Sequence, residues 1–331
     1  IITNNTISVG GDYGIYSPDS PNSMVDGNDV SGSSNGLYFG YSSDLIITNN
    51  TISVGGDYGI YSPNSPNSLI DNNDIEAIRC IYSSSSDSIS IMNNNLTSDG
   101  NWGTYDNWSG GIRNSGSFHS LIINNVIIGI NPNSDGGIVG IESHDSEIFD
   151  NTITISGGED NMCTAIYAHN SVIRDNVLDV SLTNECGSGE QSPYVLFSHG
   201  SSENRSLIEG NIITAHGCSW GMNIANAEII NNTIEFNTGN SAVILEMSSF
   251  LLIDNNSITS NAGVIDSWNY IDSLIITNNT ITSNSTAINL SNSDVLISYN
   301  LIESQGRGIE MSNQSGGEII NNTIVSSNSA D

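Results

Sequence analysis

Short apolar pieces separated by polar residues recur along the whole chain, at intervals of about 22 residues. In one such unit, apolar pieces lie at 45–47, 51–54 and 59–61, and an Asn pair separates the first two. Ile52 and Val54 alternate with polar neighbours, which indicates a strand with one buried face. The pieces are too short for helices and rich in Ile and Val, so each unit is predicted to hold three short strands.

The repetition extends over all 331 residues. Residues 1–23 and 46–68 differ only at Asp19 against Asn64. A looser pattern, aliphatic-x-x-Asn-x-aliphatic, predicts one continuous domain over 1–331 with about 14 coils. The Asn of this pattern occurs at Asn5, Asn28, Asn50, Asn73, Asn94, Asn125, Asn151, Asn176, Asn211, Asn232, Asn256, Asn279, Asn300 and Asn322.

Three strands per unit, each pairing with its equivalent in the next unit, make an all-β parallel solenoid. A right-handed crossover is the default hand, so a right-handed parallel β-helix is predicted. A leucine-rich horseshoe shares the period, but the sequence lacks its Leu scaffold. At about 4.8 Å per coil, the predicted rod is roughly 65 Å long.

The recurrent Asn lies where the first strand bends into the second. Asn tolerates the left-handed conformation that such a turn needs. In stacked coils its amide can bond to the Asn above and below. We therefore interpret all 14 as a structural Asn ladder and expect no catalytic residue among them.

These turns carry a family resemblance. The ITNNTI, IDNNDI and INNTI segments and the Gly-Ile-Tyr strand starts resemble the right-handed parallel β-helix repeat family over essentially the whole chain. That family includes polysaccharide lyases and hydrolases, NosD-like periplasmic proteins associated with copper, and adhesin-like or surface-layer proteins of methanogenic archaea. The resemblance implies the fold, whereas one solenoid hosts many activities.

Charge limits the partners. The chain has 36 acidic residues, five Arg and no Lys, for a net charge of −31. Nucleic acid and anionic membrane surfaces would repel it, and no apolar stretch approaches the roughly 20 residues of a membrane span. We therefore expect neither nucleic-acid binding nor membrane insertion. No cofactor is required, although Ca²⁺ is a possible ligand of the acidic surface.

Two features suggest binding. The spacing from the Asn to the third strand grows in four consecutive coils, which predicts enlarged loops at 97–111, 128–140, 154–165 and 179–194. An outward stripe is predicted at Tyr16, Tyr38, Tyr61 and Tyr82, near Trp102, Tyr105 and Trp108 of the first enlarged loop. The stripe is either a cross-strand stabilising ladder or a surface for a sugar chain or another subunit. Arg113 and Glu142 are predicted to form an ion pair.

His144, His169 and His199 recur in register and are candidate Zn or Cu ligands, with inert histidines as the alternative. Because the family includes polysaccharide lyases and hydrolases, the resemblance also makes catalysis a function to consider. The lyase-type base with clustered Ca²⁺ carboxylates and the pectin-type hydrolase signature are not recognisable, so no catalytic residue is assigned. We expect that the protein is not an enzyme.

Cys163, Cys186 and Cys218 are disulfide candidates, paired as Cys163–Cys186 or Cys186–Cys218 in an oxidising compartment, whereas Cys80 is predicted to be a buried free thiol. Six N-x-Ser/Thr sequons precede the ladder Asn directly, and they are either glycan acceptors or by-products of an Asn-rich turn. They lie at Asn4, Asn49, Asn231, Asn255, Asn278 and Asn321.

Both ends of the sequence fall within turn units and show no cap, and bare solenoid ends expose unpaired strands. The sequence therefore suggests a segment of a longer protein or a subunit that polymerises head-to-tail. We predict an extracellular structural protein of the cell surface, such as an adhesin, sheath or filament subunit, whose partner is itself. The alternative is a carbohydrate-binding or polysaccharide-processing β-helix that uses the enlarged loops and the Tyr stripe.

Overall fold

The computed structural model describes residues 1–32, 34–99, 108–131, 137–157, 163–182, 194–217, 220–238, 241–313 and 315–327, with the backbone alone at 108, 131 and 238. These residues form short strands and turns, without a helix. They divide into two compact units, 1–168 and 169–331. The prediction of a single domain over 1–331 stays a prediction.

Each unit is a parallel β-solenoid. Every coil contributes a first, a second and a third strand, and each strand pairs in parallel with its equivalent in the next coil of the unit. This gives three sheets per unit, which we call the first, second and third sheets. The predicted fold class is confirmed.

The first unit holds seven three-stranded coils, and the last of their strands ends one residue past the boundary, at His169. Its strands, coil by coil, are Ile2–Thr3, Thr6–Ser8 and Tyr13–Tyr16; Met24–Asp26, Asp29–Ser31 and Asn35–Tyr38; Ile46–Thr48, Thr51–Ser53 and Tyr58–Tyr61; Leu69–Asp71, Asp74–Glu76 and Arg79–Tyr82; Ser90–Met92, Asn95–Ser98 and Trp108–Asn114; Leu121–Ile123, Val126–Asn131 and Gly137–His144; Glu147–Phe149, Thr152–Gly157 and Cys163–His169.

The second unit holds six three-stranded coils and a last one of two strands, so the number of complete coils is slightly below the predicted 14. Its strands are Val172–Arg174, Val177–Leu182 and Tyr194–His199; Ser206–Glu209, Ile212–Gly217 and Trp220–Ala225; Ala227–Ile230, Thr233–Thr238 and Val243–Leu245; Leu251–Asp254, Ser257–Ser260 and Ile265–Ser267; Ile271–Thr277, Thr280–Ser283 and Ile288–Ser291; Ser293–Ser298, Leu301–Ser304 and Ile309–Ser312; Gly316–Ile320 and Thr323–Ser326.

Stacked aliphatic side chains fill the interior of each coil. Ile70 of the first sheet pairs with Ile47 and Ile91, and all three are fully buried. The second and third sheets repeat this arrangement, for example with Ile75 beside Ile52. Because residues alternate between the two faces of a strand, one apolar residue per short strand supplies the core. Burial of these columns is the main apolar contribution to folding.

The predicted Asn ladder is present in both units. In the first unit, Asn94 donates its backbone N–H and its Nδ2 to Oδ1 of Asn125, each at 3.0 Å. Nδ2 of Asn125 in turn donates to Asn151, at 3.0 Å, and to the backbone oxygens of Ile91 and Ile123. Asn125 is completely buried. Each internal amide therefore satisfies the turn of its own coil and of the coils next to it.

The prediction that the ladder Asn itself adopts the left-handed conformation is wrong. The residue with positive φ is the one before it, as at Asn124 with φ 54° and Asp150 with φ 56°. In all 14 coils this preceding residue has φ between 45° and 70°, whether it is Asn, Asp, Gly or Tyr. The ladder Asn points inward to bond, so the exposed neighbour makes the bend.

The enlarged loops are smaller than predicted. Residues 128–131 and 137–140 extend the strands of their coil, and Gly129 pairs with Ile155 of the next coil. Residues 108–111, 154–157, 163–165 and 179–182 are likewise in strands. Part of each insertion therefore widens the second and third sheets, because its apolar residues alternate. The remaining loop positions lie outside the described residues.

None of the described elements is a helix of the length and hydrophobicity that would cross a membrane.

Replacing one ladder amide tests the ladder. Asn125→Ala removes the acceptor of the buried Asn94 N–H, so the free energy of unfolding is expected to fall by about 1–3 kcal/mol. Urea unfolding followed by circular dichroism measures this loss. Hydrogen exchange should become faster first at Asn94. The matched control is Asn124→Gly, which keeps the positive φ at an exposed position and should change stability by less than about 0.5 kcal/mol. Equal effects of the two variants would contradict the ladder's role.

Tyr299 offers a test with the opposite sign. It occupies the left-handed position of its turn with φ 58° and is 61% exposed. A bulky side chain is unfavourable in this region, whereas Asn is tolerated there. Tyr299→Asn is therefore expected to raise the free energy of unfolding by about 1 kcal/mol, measured by urea titration. The converse change at an equivalent turn, Asn278→Tyr, should lower it. A destabilised Tyr299→Asn variant would refute this account of the turn.

Candidate functional site

The predicted tyrosine stripe forms a column on the outer face of the third sheet of the first unit. Successive rings of Tyr16, Tyr38, Tyr61 and Tyr82 stack at centroid distances of 4.8, 5.1 and 4.9 Å, with interplanar angles of 27°, 22° and 10°. The in-register pairing of these third strands places the rings one above another. Exposure falls from 58% at Tyr16 to intermediate values further along.

The faces of the inner rings are occupied by their neighbours. Tyr38 and Tyr61 each contact a ring on both sides, and the guanidinium of Arg113 lies 5.8 Å from the Tyr82 ring centroid. The predicted ion pair is confirmed, because Nε of Arg113 lies 2.8 Å from Oε2 of Glu142. The stripe thus offers mainly ring edges to a ligand, which fits a stabilising ladder better than a sugar platform.

Charged side chains meet at one end of the stripe. The guanidinium carbon of Arg79 lies 5.2 Å from the centroid of the Tyr58 ring. Nη1 of Arg79 donates to the Tyr58 hydroxyl at 3.2 Å and forms an ion pair with Oδ1 of Asp57 at 3.5 Å. Arg79, Arg113 and Glu142 also line a small cavity. Each of these charges already has a protein partner, so the charged groups that line the cavity are mainly engaged in internal ion pairs.

Packing changes the acidity of the stripe. Burial, together with repulsion from the neighbouring tyrosines, raises the pKa of Tyr61 to about 12. Burial likewise raises the pKa of Tyr38 and Tyr58 above the ordinary value. The hydroxyls therefore stay neutral at any physiological pH.

Three predicted aromatic contacts of the enlarged loop cannot be placed. Trp102 and Tyr105 lie outside the described residues, and Trp108 begins a third strand without a described side chain. Their proposed role in binding sugars stays a prediction.

The candidate metal ligands fall in both units. His144 belongs to the first unit, while His169 and His199 belong to the second, with their ring centroids 5.9 Å apart and edge to face. Within the described ranges, no three His, Cys, Asp or Glu side chains are close enough together to hold a metal ion. Metal binding by these histidines stays a prediction.

His199 instead begins a hydrogen-bonded network that the sequence did not predict. Its Nε2 lies 2.7 Å from Oδ1 of Asn223, whose Nδ2 donates to Oε1 of Glu246 at 3.1 Å. Nδ2 of Asn269 donates to Oε2 of the same carboxylate at 2.6 Å. Since Asn223 presents its oxygen to the imidazole, Nε2 of His199 carries the proton. Asn223 is only 4% exposed, so a buried amide fixes both of its partners.

A second carboxylate lies in the next coil. Asp266 accepts hydrogen bonds from Ser241 at 3.3 Å and from Asn289 at 2.9 Å, and the side chain of Trp268 lies close to it. Burial raises the pKa of Asp266 above its ordinary value, although these donors oppose the shift. Nearby Trp268 and Tyr270 are each 60% exposed. The outer face of the third sheet in the second unit therefore combines exposed aromatic rings with fixed polar groups.

The disulfide prediction for Cys163 needs correction. Cys163 lies on a third strand rather than in a loop, is completely buried, and is a free thiol. Burial raises its pKa to about 11. Cys80 is a buried free thiol, as predicted. Cys186 and Cys218 lie outside the described residues, so a Cys186–Cys218 bridge stays a prediction.

The six sequon asparagines are exposed and occupy the left-handed turn position. Several of them form an outer amide ladder. Asn49 donates to Asp26 at 2.6 Å, Asn255 to Asn231 at 2.7 Å, and Asn278 to Asp254 at 2.9 Å. These hydrogen bonds supply a structural reason for Asn at the position. Glycosylation of Asn4, Asn49, Asn231, Asn255, Asn278 and Asn321 stays a prediction.

A serine ladder was also missed. Along the first unit, the backbone N–H of one Ser donates to Oγ of the Ser in the next coil, at 2.8–3.1 Å. The Ser-Pro-x-Ser-Pro-x-Ser segments at 17–23 and 62–68 were the available signal for Ser20 and Ser65. The ladder consists of Ser20, Ser42, Ser65, Ser86 and Ser117.

Comparisons with known proteins agree with this geometry. The family model described as periplasmic copper-binding protein (NosD) matches residues 1–129, and the model described as right handed beta helix region matches residues 194–324. Together the two matches support a family of NosD-like parallel β-helix repeats. No curated protein matches its sequence.

Two solved structures are similar to this chain. The A-module of mannuronan C-5 epimerase AlgE6 from Azotobacter vinelandii is 13% identical, with a TM-score of 0.37, 92% of this chain covered and 81% of that one. The A-module of AlgE4 from the same organism is 14% identical, with a TM-score of 0.24, and the coverage is 89% and 91%.

The packing of the stripe is expected to be visible in the pH dependence of stability and of tyrosine ionisation. Folding holds the Tyr61 proton more tightly than the unfolded chain does. Its contribution to stability is therefore complete below about pH 10 and is lost as the pH rises through about 12.

Absorbance of tyrosinate against pH should show a late transition near pH 12 that Tyr61→Phe removes. The same protein in denaturant should titrate near pH 10 throughout. A native titration that matches the denatured one would contradict the stacked arrangement.

Proposed function

We propose that the chain is an exported structural β-helix that serves as a segment of a cell-surface adhesin, sheath or filament. The observation that carries this proposal is the buried Asn ladder, which repeats from coil to coil within each unit. A structural segment needs equal cohesion in every coil. The ladder provides it, because each coil bonds to the next through the same amide geometry.

The other side-chain columns support the same role. The stacked tyrosines and the serine ladder run along the coils of the first unit, and both join one coil to the next. These contacts involve neutral groups. Cohesion along the coils is thus independent of ionic strength, which suits a protein outside the cell.

Export is supported by the family description. The NosD model is described as that of a periplasmic protein. We extend this to a location at the cell surface as part of the proposal. Under it, the partner is a further copy of the chain or another component of the cell surface. With a net charge of −31, copies repel one another laterally. Ca²⁺ bound to the acidic surface would then bridge them, without being required for the fold.

Carbohydrate recognition through the Tyr stripe is the alternative. The stacking favours the structural interpretation, because neighbouring side chains already cover both faces of Tyr38, Tyr61 and Tyr82. A sugar needs a free ring face for stacking.

The test is the location and assembly state of the native protein. Antibody labelling of intact cells should detect the chain at the surface, and electron microscopy of released material should show ordered assemblies. Sedimentation of the purified chain should show growth on addition of Ca²⁺ that a chelator reverses, with Mg²⁺ as the matched ion control. Labelling only after lysis, together with a monomer under every condition, would overturn the proposal.

A further inference from the structure

The third sheet of the second unit differs from that of the first in the side chains on its outer face. Its outward residues include Asn223, Ile244, Asp266 and Asn289, which are of different chemical types and form no stack. Immediately after the strand Ile265–Ser267, Trp268 and Tyr270 each leave 60% of their surface exposed. Two exposed aromatic residues at one turn are a common mark of a binding surface.

The exposed Trp268 lies beside the polar network. Its side chain is close to Asp266, which accepts hydrogen bonds from Ser241 and Asn289. Ser267 donates from Oγ to the backbone oxygen of Asn269 at 3.2 Å, which supports the turn that carries the ring. A turn that is ordered before a ligand arrives loses little entropy on binding.

Polar groups beside the ring are fixed as well. The carboxylate of Glu246 accepts hydrogen bonds from Nδ2 of Asn269 at 2.6 Å and from Nδ2 of Asn223 at 3.1 Å. Oδ1 of Asn223 in turn accepts a hydrogen bond from Nε2 of His199 at 2.7 Å. Asn269 is exposed, and its Oδ1 has no hydrogen bond assigned to it within the described contacts, whereas its Nδ2 is committed to Glu246. A buried amide, Asn223, organises a surface of acceptors at the edge of the aromatic patch.

We propose that Trp268, Tyr270, Asn269 and Glu246 form a binding site for a neutral saccharide. A pyranose has one face of C–H groups that packs on the electron-rich face of an aromatic ring. Its hydroxyls can donate to the amide oxygen of Asn269 and to the remaining lone pairs of Glu246. An aromatic platform with a few convergent polar groups provides both kinds of contact.

Charge distinguishes a neutral sugar from charged ligands. An anionic sugar would approach Glu246, Asp266 and Asp272, which repel it. A cation prefers open carboxylate oxygens, yet all four oxygens of Glu246 and Asp266 already accept a protein hydrogen bond. A neutral polyol needs neither an open carboxylate nor a cationic partner.

This site is separate from the tyrosine stripe and does not depend on the proposed structural role. A surface protein that also binds neutral glycan would attach to its surroundings through the second unit. Loss of sugar binding would leave assembly intact, and loss of assembly would leave the site intact.

The experiment uses the full chain and a panel of neutral hexasaccharides built from glucose, mannose, galactose, xylose and N-acetylglucosamine. Oligogalacturonate is the anionic probe and choline the cationic one. Binding is followed by tryptophan fluorescence and by calorimetry. At least one neutral probe is expected to bind, and more tightly than both charged probes.

Trp268→Ala is expected to weaken that binding at least tenfold, and Trp268→Phe is expected to retain part of it. Glu246→Gln should weaken binding as well, because a second NH₂ group would face Asn223 or Asn269. The matched control is Tyr299→Asn, which removes another exposed aromatic ring at a turn outside the proposed site and should leave the affinity unchanged. Urea midpoints of all variants show whether each one is folded.

Three outcomes would overturn the site. They are absence of binding to every neutral probe, tighter binding of choline or oligogalacturonate, and equal affinity of Trp268→Ala and the parent protein. Binding that disappears in Tyr299→Asn as well would place the saccharide elsewhere.

Discussion

The hydrogen bond between successive ladder asparagines is the interaction on which the rest of the structure depends. Each coil must turn sharply after its first strand, and the turn leaves a backbone N–H in a buried place. The Oδ1 of the next ladder Asn accepts this N–H, as Asn125 does for Asn94 at 3.0 Å. A buried donor without a partner would cost roughly 1–3 kcal/mol in every coil. The ladder removes that cost and fixes the register of the adjoining strands.

Once the interior fixes the coils, the outer positions are free to differ. In the first unit, four successive third strands end in an aliphatic residue followed by Tyr, so their rings meet in register and occupy one another's faces. In the second unit, Asn223 and Asp266 hold the equivalent outward positions, and neither meets its own kind in the next coil. Their side chains bond instead to residues of other types in the adjacent coils, and the exposed Trp268 lies close to Asp266. The same backbone thus carries a ladder of identical side chains in one unit and a mixed polar network in the other.

The sequence predicted the strands and the ladder because both depend on a local motif that recurs at a fixed spacing. It misplaced the left-handed residue by one position. In an Asn-Asn pair either residue suits the turn, but Gly27, Asp150 and Tyr299 at the first position in other coils indicate which one bends. It also counted residues 128–131 as loop, although the alternation of Ile128, Gly129 and Ile130 is the pattern of a strand.

The network of His199, Asn223, Glu246 and Asn269 was beyond such prediction, and the reason is physical. Its members come from four successive coils and follow no repeated motif, so only the folded register brings them together. A motif search detects what every coil shares, which is the scaffold. A binding surface on a solenoid depends on what distinguishes a few neighbouring coils. Positions that break the repeat, such as Trp268 just after a third strand, are therefore where function should be sought in a chain of this kind.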